Sequence, residues 1–334
     1  MKPFIDIQTE RKVKKNSIPT SFKTLNKMNK FIIIAAVALL CSINAKAQQD
    51  PLLTQYMFNG LFLNPAYAGT RPYISSTLTY RNQWVGLDGA PETAIAAIDG
   101  SLPNENMGLG AVLYHDRIGV TKQNTLILNY AYSIKTSETA KLSFGINAGF
   151  SQYSAKLTDL TVWDDDVVFE SNLSSKILPK FGAGAYYYAE RYYVGFSVPT
   201  LFAYQDDMDF NFNLTQSSFL RRHYLLTAGY VFDLNENFKL KPSFLGKYVH
   251  HAPFELDVNL SVLYKDTYWF GVSYRSNDAL ALIVEYQTNL NFRIGYSYDI
   301  TLTELNNHSH GSHEIMLGID FGKDLAKVKT PRFF

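Results

Sequence analysis

Residues 254–265 read Phe254-Glu255-Leu256-Asp257-Val258-Asn259-Leu260-Ser261-Val262-Leu263-Tyr264-Lys265. Apolar residues hold the even positions and polar residues the odd ones, with Leu263 the single exception. Successive side chains of a strand point to opposite faces, so this segment has one greasy face and one charged face. Phe292, Ile294, Tyr296, Tyr298 and Ile300 repeat the pattern against Asn291, Arg293, Gly295, Ser297 and Asp299. In a water-soluble sandwich the greasy side would be a core. Here it is long, aromatic and repeated along nearly the whole chain, which fits lipid outside and water inside.

Working outward from that stretch, alternation and turn residues predict about fourteen strands, an even number as bacterial barrels require. Their spans are 73–81, 92–100, 107–115, 122–134, 140–154, 178–188, 191–199, 222–233, 237–249, 253–265, 267–275, 279–287, 290–301 and 312–322. Connections after even-numbered strands are short: Lys135 to Thr139, Ala189-Glu190, Leu234 to Glu236, Asp266, and Thr288-Asn289. Several after odd-numbered strands are long: Asn82 to Pro91, Ala155 to Ile177, Thr200 to Arg221, and Thr301 to Gly311. Short turns at one end and long loops at the other are the asymmetry of outer-membrane barrels, with the long loops facing outward. The expected fold is therefore an all-β transmembrane antiparallel barrel over residues 73–322, with both termini on the periplasmic side.

The polar parity carries both signs of charge: Lys239, Lys241, Lys247, Glu255, Asp257, Arg275, Glu285, Arg293, Asp299 and Glu314. Facing lipid at mid-bilayer, each Lys or Arg would cost about 2–4 kcal/mol, so these side chains are assigned to the lumen. Two readings stay open: ion-pair ladders filling a narrow barrel, or the lining of a conduction pathway. Pro242 is placed on the inward parity, where its missing N–H predicts a bulge or a lost pairing.

Composition agrees with a membrane strand protein. Hydrophobic residues make up 46% of the 334, yet after the leader no run approaches the about 20 residues of a spanning helix. Tyr and Phe number 23 each, a supply suited to interfacial aromatic girdles. The leader itself is residues 1–47: basic Lys27 and Lys30, the apolar run Phe31 to Leu40, then Ala45-Lys46-Ala47 as a small-x-small cleavage pattern. Met28 is the expected start, residues 1–27 being an over-extension, and the processed chain is expected to begin at Gln48. Leu40 is too bulky to precede a lipidated cysteine. The leader holds nine of the 31 Lys/Arg and two of the 30 Asp/Glu, leaving 22 against 28, a net charge of −6. That balance gives no reason to expect nucleic acid as a partner. Cys41, the only cysteine, goes with the leader, which excludes disulfide scaffolds, thiolate nucleophiles and cysteine metal sites.

Residues 48–72 do not alternate cleanly. Leu52 to Leu63 is apolar with isolated polar residues, and Asn64-Pro65 marks a turn, so the segment is expected to form a short plug at the barrel bottom; an irregular first strand is the alternative. Gln55-Tyr56-Met57-Phe58-Asn59, Asn64-Pro65-Ala66-Tyr67-Ala68-Gly69 and Arg81-Asn82-Gln83-Trp84, in that order, resemble the opening of the PorP/SprF family. Ser297-Tyr298-Asp299, Ser312-His313-Glu314-Ile315 and the terminal Pro331-Arg332-Phe333-Phe334 are similar to its closing segments. The resemblance covers essentially the whole processed chain. It implies an outer-membrane protein of the type IX secretion system of Bacteroidetes. The implied role is to support export and surface anchoring of partner proteins such as gliding adhesins, whose C-terminal domains serve as the secretion signal. It implies no catalysis. Implied partners are outer-membrane lipid, the exported surface protein and other secretion components.

Other features are weighed as they stand. Trp163-Asp164-Asp165-Asp166 and the alternating Asp207, Asp209, Asn211 and Asn213 lie in long loops; Phe212 and Ser218 occupy the Gly and Glu positions of a calcium loop, so solvated acidic loops are expected. His308, His310 and His313 crowd one loop and are candidate metal ligands, but only Glu304 or Glu314 could complete a set, so a polar hairpin loop is expected and no cofactor. His250-His251 at a short turn is a weaker feature of the same kind. The chain shows no Gly-rich phosphate loop after a strand, no His-Glu-x-x-His and no nucleophile elbow. Residues 323–334 carry four Lys/Arg and end in Phe333-Phe334, the expected periplasmic tail. The function expected from all of this is a secretion-system barrel that anchors partners; a passive or substrate-selective channel is the alternative.

Overall fold

The computed structural model of the protein describes residues 51–103, 106–156, 158, 173–201, 222–249, 252–288 and 291–322. The leader with Cys41, the acidic stretches Trp163 to Asp166 and Asp207 to Asn213, His250-His251, and the tail with Pro331, Arg332, Phe333 and Phe334 lie outside the described residues.

A closed barrel of 14 antiparallel strands forms from β1 (Ile74–Asn82), β2 (Glu92–Ser101), β3 (Met107–Ile118), β4 (Thr121–Lys135) and β5 (Lys141–Ala155) onward. It continues through β6 (Leu173–Tyr188), β7 (Tyr192–Val198), β8 (His223–Tyr230, resuming as Phe232–Asp233), β9 (Phe238–Val249) and β10 (Glu255–Tyr264). The last four are β11 (Tyr268–Arg275), β12 (Ala279–Gln287), β13 (Phe292–Thr301) and β14 (Ser312–Phe321). Each strand pairs with its chain neighbours, and β14 closes on β1 from Ile74 opposite Phe321 to Asn82 opposite His313. Closure leaves no edge strand, the condition for β structure in lipid, where no water satisfies an open ladder.

The strands follow the alternation closely. β6 starts five residues before the expected Leu178, because its ladder with β5 runs on to Ala155 opposite Leu173 across an irregularity after Tyr153. Pro242 faces outward, contrary to the expected inward placement: Lys241 and Ser243 beside it are the inward residues. The expected loss of pairing does occur. The ladder between β9 and β8 skips from Ser243 opposite Gly229 to Leu240 opposite Phe232, with the register unchanged, so there is a gap and no bulge. Pro242 has no N–H to give, and across the gap Val231 donates its own N–H to the Arg191 carbonyl on the other side, at 2.7 Å.

The outer wall is apolar. Leu78, Ile146, Leu260, Phe270 and Leu282 are each at least half exposed, the arrangement lipid rather than water rewards. At the short-turn end an aromatic belt faces outward: Tyr192 stacks on Tyr230 (centroids 6.4 Å, 5° apart), Phe238 lies 4.8 Å from Tyr264, and Tyr268 lies 5.1 Å from Tyr286. Tyr80, Tyr248 and Tyr274 face outward nearer the long-loop end. Amphipathic rings at both ends of an oily band mark the two membrane interfaces. No helix among the described residues is long and apolar enough to cross a membrane.

Candidate functional site: the filled lumen

Residues 53–71 lie inside the barrel, along its height rather than only at its floor. They are not a strand: short helical turns at Tyr56–Phe58, Gly60–Leu63 and Pro65–Tyr67 follow one another, and Leu53, Tyr56, Met57, Phe58, Leu61, Leu63, Ala66, Tyr67 and Ala68 are all buried. A strand would demand ladder partners that a closed barrel no longer offers. Tight turns satisfy their own backbone instead, as in Phe58 N–H to Gln55 O (3.0 Å), Asn64 N–H to Gly60 O (3.0 Å) and Thr70 N–H to Tyr67 O (3.1 Å).

The upper end of this segment is pinned among the long-loop ends of the strands. The Thr54 and Gln55 N–H groups donate to the two oxygens of Glu314, each at 2.8 Å. The Thr54 hydroxyl donates to the Asp299 carboxylate (2.7 Å) and accepts from Arg81 Nη1 (2.7 Å). Arg81 also bonds Asp299 (2.7 Å) and Glu314 (3.1 Å), and Arg275 reaches Asp257 (3.2 Å), Asp278 (3.2 Å) and Asp299 (3.7 Å). Lys247 and Glu255 extend the cluster with a 3.9 Å pair, and Ser273 bonds Asp257. Thr54 and Glu314 have no measurable exposure, and Arg81 and Asp299 beside them are buried, so these charges depend on partners rather than on water, whereas Glu255 and Asp278 at the margin keep some access to it.

The lower end is fixed near the short turns. Gly69 N–H donates to Asp99 (3.0 Å), Arg71 Nη2 to the Tyr67 hydroxyl (2.7 Å) and Arg71 Nη1 to Ser75, while Arg293 pairs with Asp320 (3.3 Å). Between the two ends Asn64 acts as a cross-piece. Its Oδ1 accepts from Ala66 N–H (2.9 Å), and its Nδ2 donates to the carbonyls of Ala185 (3.0 Å) and Phe196 (3.3 Å) on β6 and β7. Ser197 donates to the Leu63 carbonyl at 2.6 Å.

The barrel wall has been cut to receive this segment. An added Cβ at Gly108 would sit 2.1 Å from the Ala68 oxygen, at Gly145 2.2 Å from the Ala66 nitrogen, at Gly184 2.1 Å from Asn64 Oδ1, and at Gly295 2.2 Å from Gln55 Oε1. Only glycine permits such backbone approach. Aromatic packing fills what remains: Phe58 on Trp269 (5.9 Å), Phe62 on Tyr114 (5.8 Å), and Tyr67 on Tyr186 (5.6 Å). The buried Lys241 ammonium lies 5.6–5.9 Å from the rings of Trp269, Phe58 and Tyr193, a cation–π box. A void beside Tyr56, Gly60, Asn64 and Tyr193 measures about 20 Å³, room for one water.

The sequence-derived site residues therefore divide. Gln55, Tyr56, Met57, Asn59, Asn64, Pro65, Ala66 and Gly69 all belong to the lumenal segment and are brought together. Asp257, Arg275, Asp299 and Glu255 form the upper ionic cluster and Arg293 the lower one, while Lys241 and Glu285 are buried in the wall toward the short-turn ends of β9 and β12. Lys239 stands apart, half-buried and paired with Asp266 at a short turn. Neither oxygen of buried Glu285 has a hydrogen-bond partner among the described residues. The three histidines do not converge: His310 faces the Val85 carbonyl (3.3 Å), His313 bonds the Tyr296 hydroxyl (2.7 Å) on the outer wall, and His308 is exposed. Among the described residues no three His, Cys, Asp or Glu side chains form a metal site. Thr54 and the glycine seats were not singled out from sequence, though Gly145 and Gly295 sit at inward positions of otherwise alternating strands, which is a readable signal.

Residues 45–319 match the family described as type IX secretion system membrane protein PorP/SprF. Among solved structures, the chain is similar to the outer membrane protein Omp33 of Acinetobacter baumannii (9% identity, 75% of this chain and 99% of that one, TM-score 0.43). It is also similar to a Pseudomonas aeruginosa FadL homologue (12%, 83% and 95%, 0.42) and to a mutant of the monoaromatic hydrocarbon channel TodX (9%, 78% and 92%, 0.44). No curated protein sequence matches the chain.

Proposed function

The chain belongs to the PorP/SprF family of type IX secretion system membrane proteins, and from that premise we propose that it works as a closed outer-membrane anchor, not as a conduit. The long loops face the cell exterior and hold the C-terminal secretion domain of an exported surface protein, such as a gliding adhesin, while other secretion components meet the barrel from the membrane or the periplasm. The observation that carries this reading is the filled lumen: the segment from Thr54 to Arg71 is buried, pinned at both ends and seated on glycines. A lumen occupied in this way cannot also receive a partner, so clamping by loops, or strand addition to a loop, is left as the mode of capture.

Pull-down of the tagged barrel from detergent-solubilised membranes, read by mass spectrometry, is expected to recover a surface protein carrying a C-terminal secretion domain; repeated recovery of none counts against anchoring. In planar bilayers the intact protein is expected to conduct little, and a variant lacking residues 51–69 to conduct steadily. Sustained conductance by the intact protein would favour the channel alternative.

A further inference from the structure

We infer that the amino-terminal segment threads the barrel from its long-loop mouth to its short-turn floor, so that the processed chain starts at the cell surface. The direction is fixed by which strand ends the segment touches. Thr54 bonds Arg81, one residue from the end of β1, Asp299, two from the end of β13, and Glu314, two into β14. All three positions adjoin the loops 83–91 and 302–311, which Val85 and Gly311 tie together through Val85 N–H to Gly311 O (2.9 Å) and His310 N–H to Val85 O (2.7 Å). Seventeen residues later the contacts are at the opposite end: Arg71 meets Ser75, the second residue of β1, which bonds Asp320, one from the end of β14.

The route back is closed. Only six residues separate Thr54 from the expected processed start at Gln48, an extended reach of about 20 Å. The lumen below Thr54 is taken up by Tyr56 to Ala68, nearly all buried, with room in the adjoining void for about one water. Chain preceding Thr54 therefore leaves by the long-loop mouth.

Below Gly69 the segment runs directly into β1, so its inner end is fixed to the wall. Its free end is the outer one, held by the Thr54 cradle within reach of a partner seated on the long loops. Assembly must also carry the new amino terminus across the membrane as the barrel closes.

The outward orientation of the long loops is part of the proposed function, so the test separates the two. If Cys41 leaves with the leader, the processed chain has no thiol, and single cysteines can be introduced at Pro51, at Leu302 in the last long loop, and at Glu138 in a short turn. Intact cells are treated with a membrane-impermeant maleimide, and labelling is compared with that after permeabilisation. Labelling of P51C and L302C on intact cells, with E138C gaining label only after permeabilisation, is the expected result. L302C labelled but P51C silent until permeabilisation overturns the threading and leaves the orientation standing. E138C labelled and L302C silent overturns the orientation, and with it the surface placement. As a second measurement, an epitope inserted between Gln49 and Asp50 is expected to bind antibody on intact cells as one inserted after Asn306 does. Binding lost at the first site and kept at the second rejects the threading independently of side-chain access.

Discussion

Replacing Thr54 with valine removes one hydroxyl and little volume from the cradle that holds the head of the lumenal segment. That hydroxyl donates to Asp299 at 2.7 Å and accepts from Arg81 at 2.7 Å, and Thr54 has no exposed surface through which water could substitute. Hydrogen bonds to charged groups contribute about 1.5–3 kcal/mol each. Both are lost, together with a longer bond from Arg275 Nη2 at 3.4 Å, but Arg81 and Asp299 remain bonded to each other at 2.7 Å and Arg275 keeps Asp257 and Asp278, so no charge is stranded. The net loss is therefore about 2 kcal/mol, a factor of about 30 in the equilibrium between seated and unseated segment. The assay is hydrogen exchange of the purified barrel in lipid nanodiscs, read by mass spectrometry on fragments covering residues 52–62. Exchange there should quicken by about 30-fold while fragments of β3 to β5 hold their rates. Unchanged exchange at residues 52–62 would refute the cradle as what holds the segment. Uniform acceleration over the whole barrel would show that the segment and the wall unfold as one unit.

Arg81→Ala should be worse than Thr54→Val, by about 3–5 kcal/mol in a urea titration into lipid, because it leaves Asp299 and Glu314 buried without their shared cation. Gly145→Val should displace the segment rather than merely loosen it, since the new side chain meets backbone at Ala66 and Pro65, which cannot swing aside; trypsin cleavage after Arg71 in the folded variant, absent in the parent, is the expected readout. Leu260→Arg places a charge on the lipid face and should lower unfolding free energy by about 2–4 kcal/mol, whereas an effect within error would mean that this wall does not face hydrocarbon.

The architecture was readable because period-two alternation needs only local information. Phe254 to Tyr264 shows its two faces in sequence, and the structure places Asp257 and Asn259 inside and Val258 and Leu260 outside accordingly. Parity had to be counted residue by residue, however, and Pro242 shows the failure: an even position beside inward Lys241 and Ser243, it faces outward. What matters there is its absent N–H, which acts on the ladder whichever way the ring points.

The lumenal segment behaved differently. Its irregular pattern ruled out an ordinary strand, but nothing local fixed how high in the barrel it would sit. Glu314, which captures Thr54, lies 260 residues further along, and Asp299 lies 245 further. From sequence, Asp257, Arg275, Arg293 and Asp299 could be assigned to the interior but not to partners, because a lumen that is wet and one that is filled impose the same alternation on the wall. Hydropathy period alone determined the barrel, its inside and its outside. What occupies the hollow, and from which end the chain enters it, was decided only when closure of β14 on β1 brought Arg81, Asp299 and Glu314 around a single threonine: buried charges must find partners, and those partners exist only once the ring is complete.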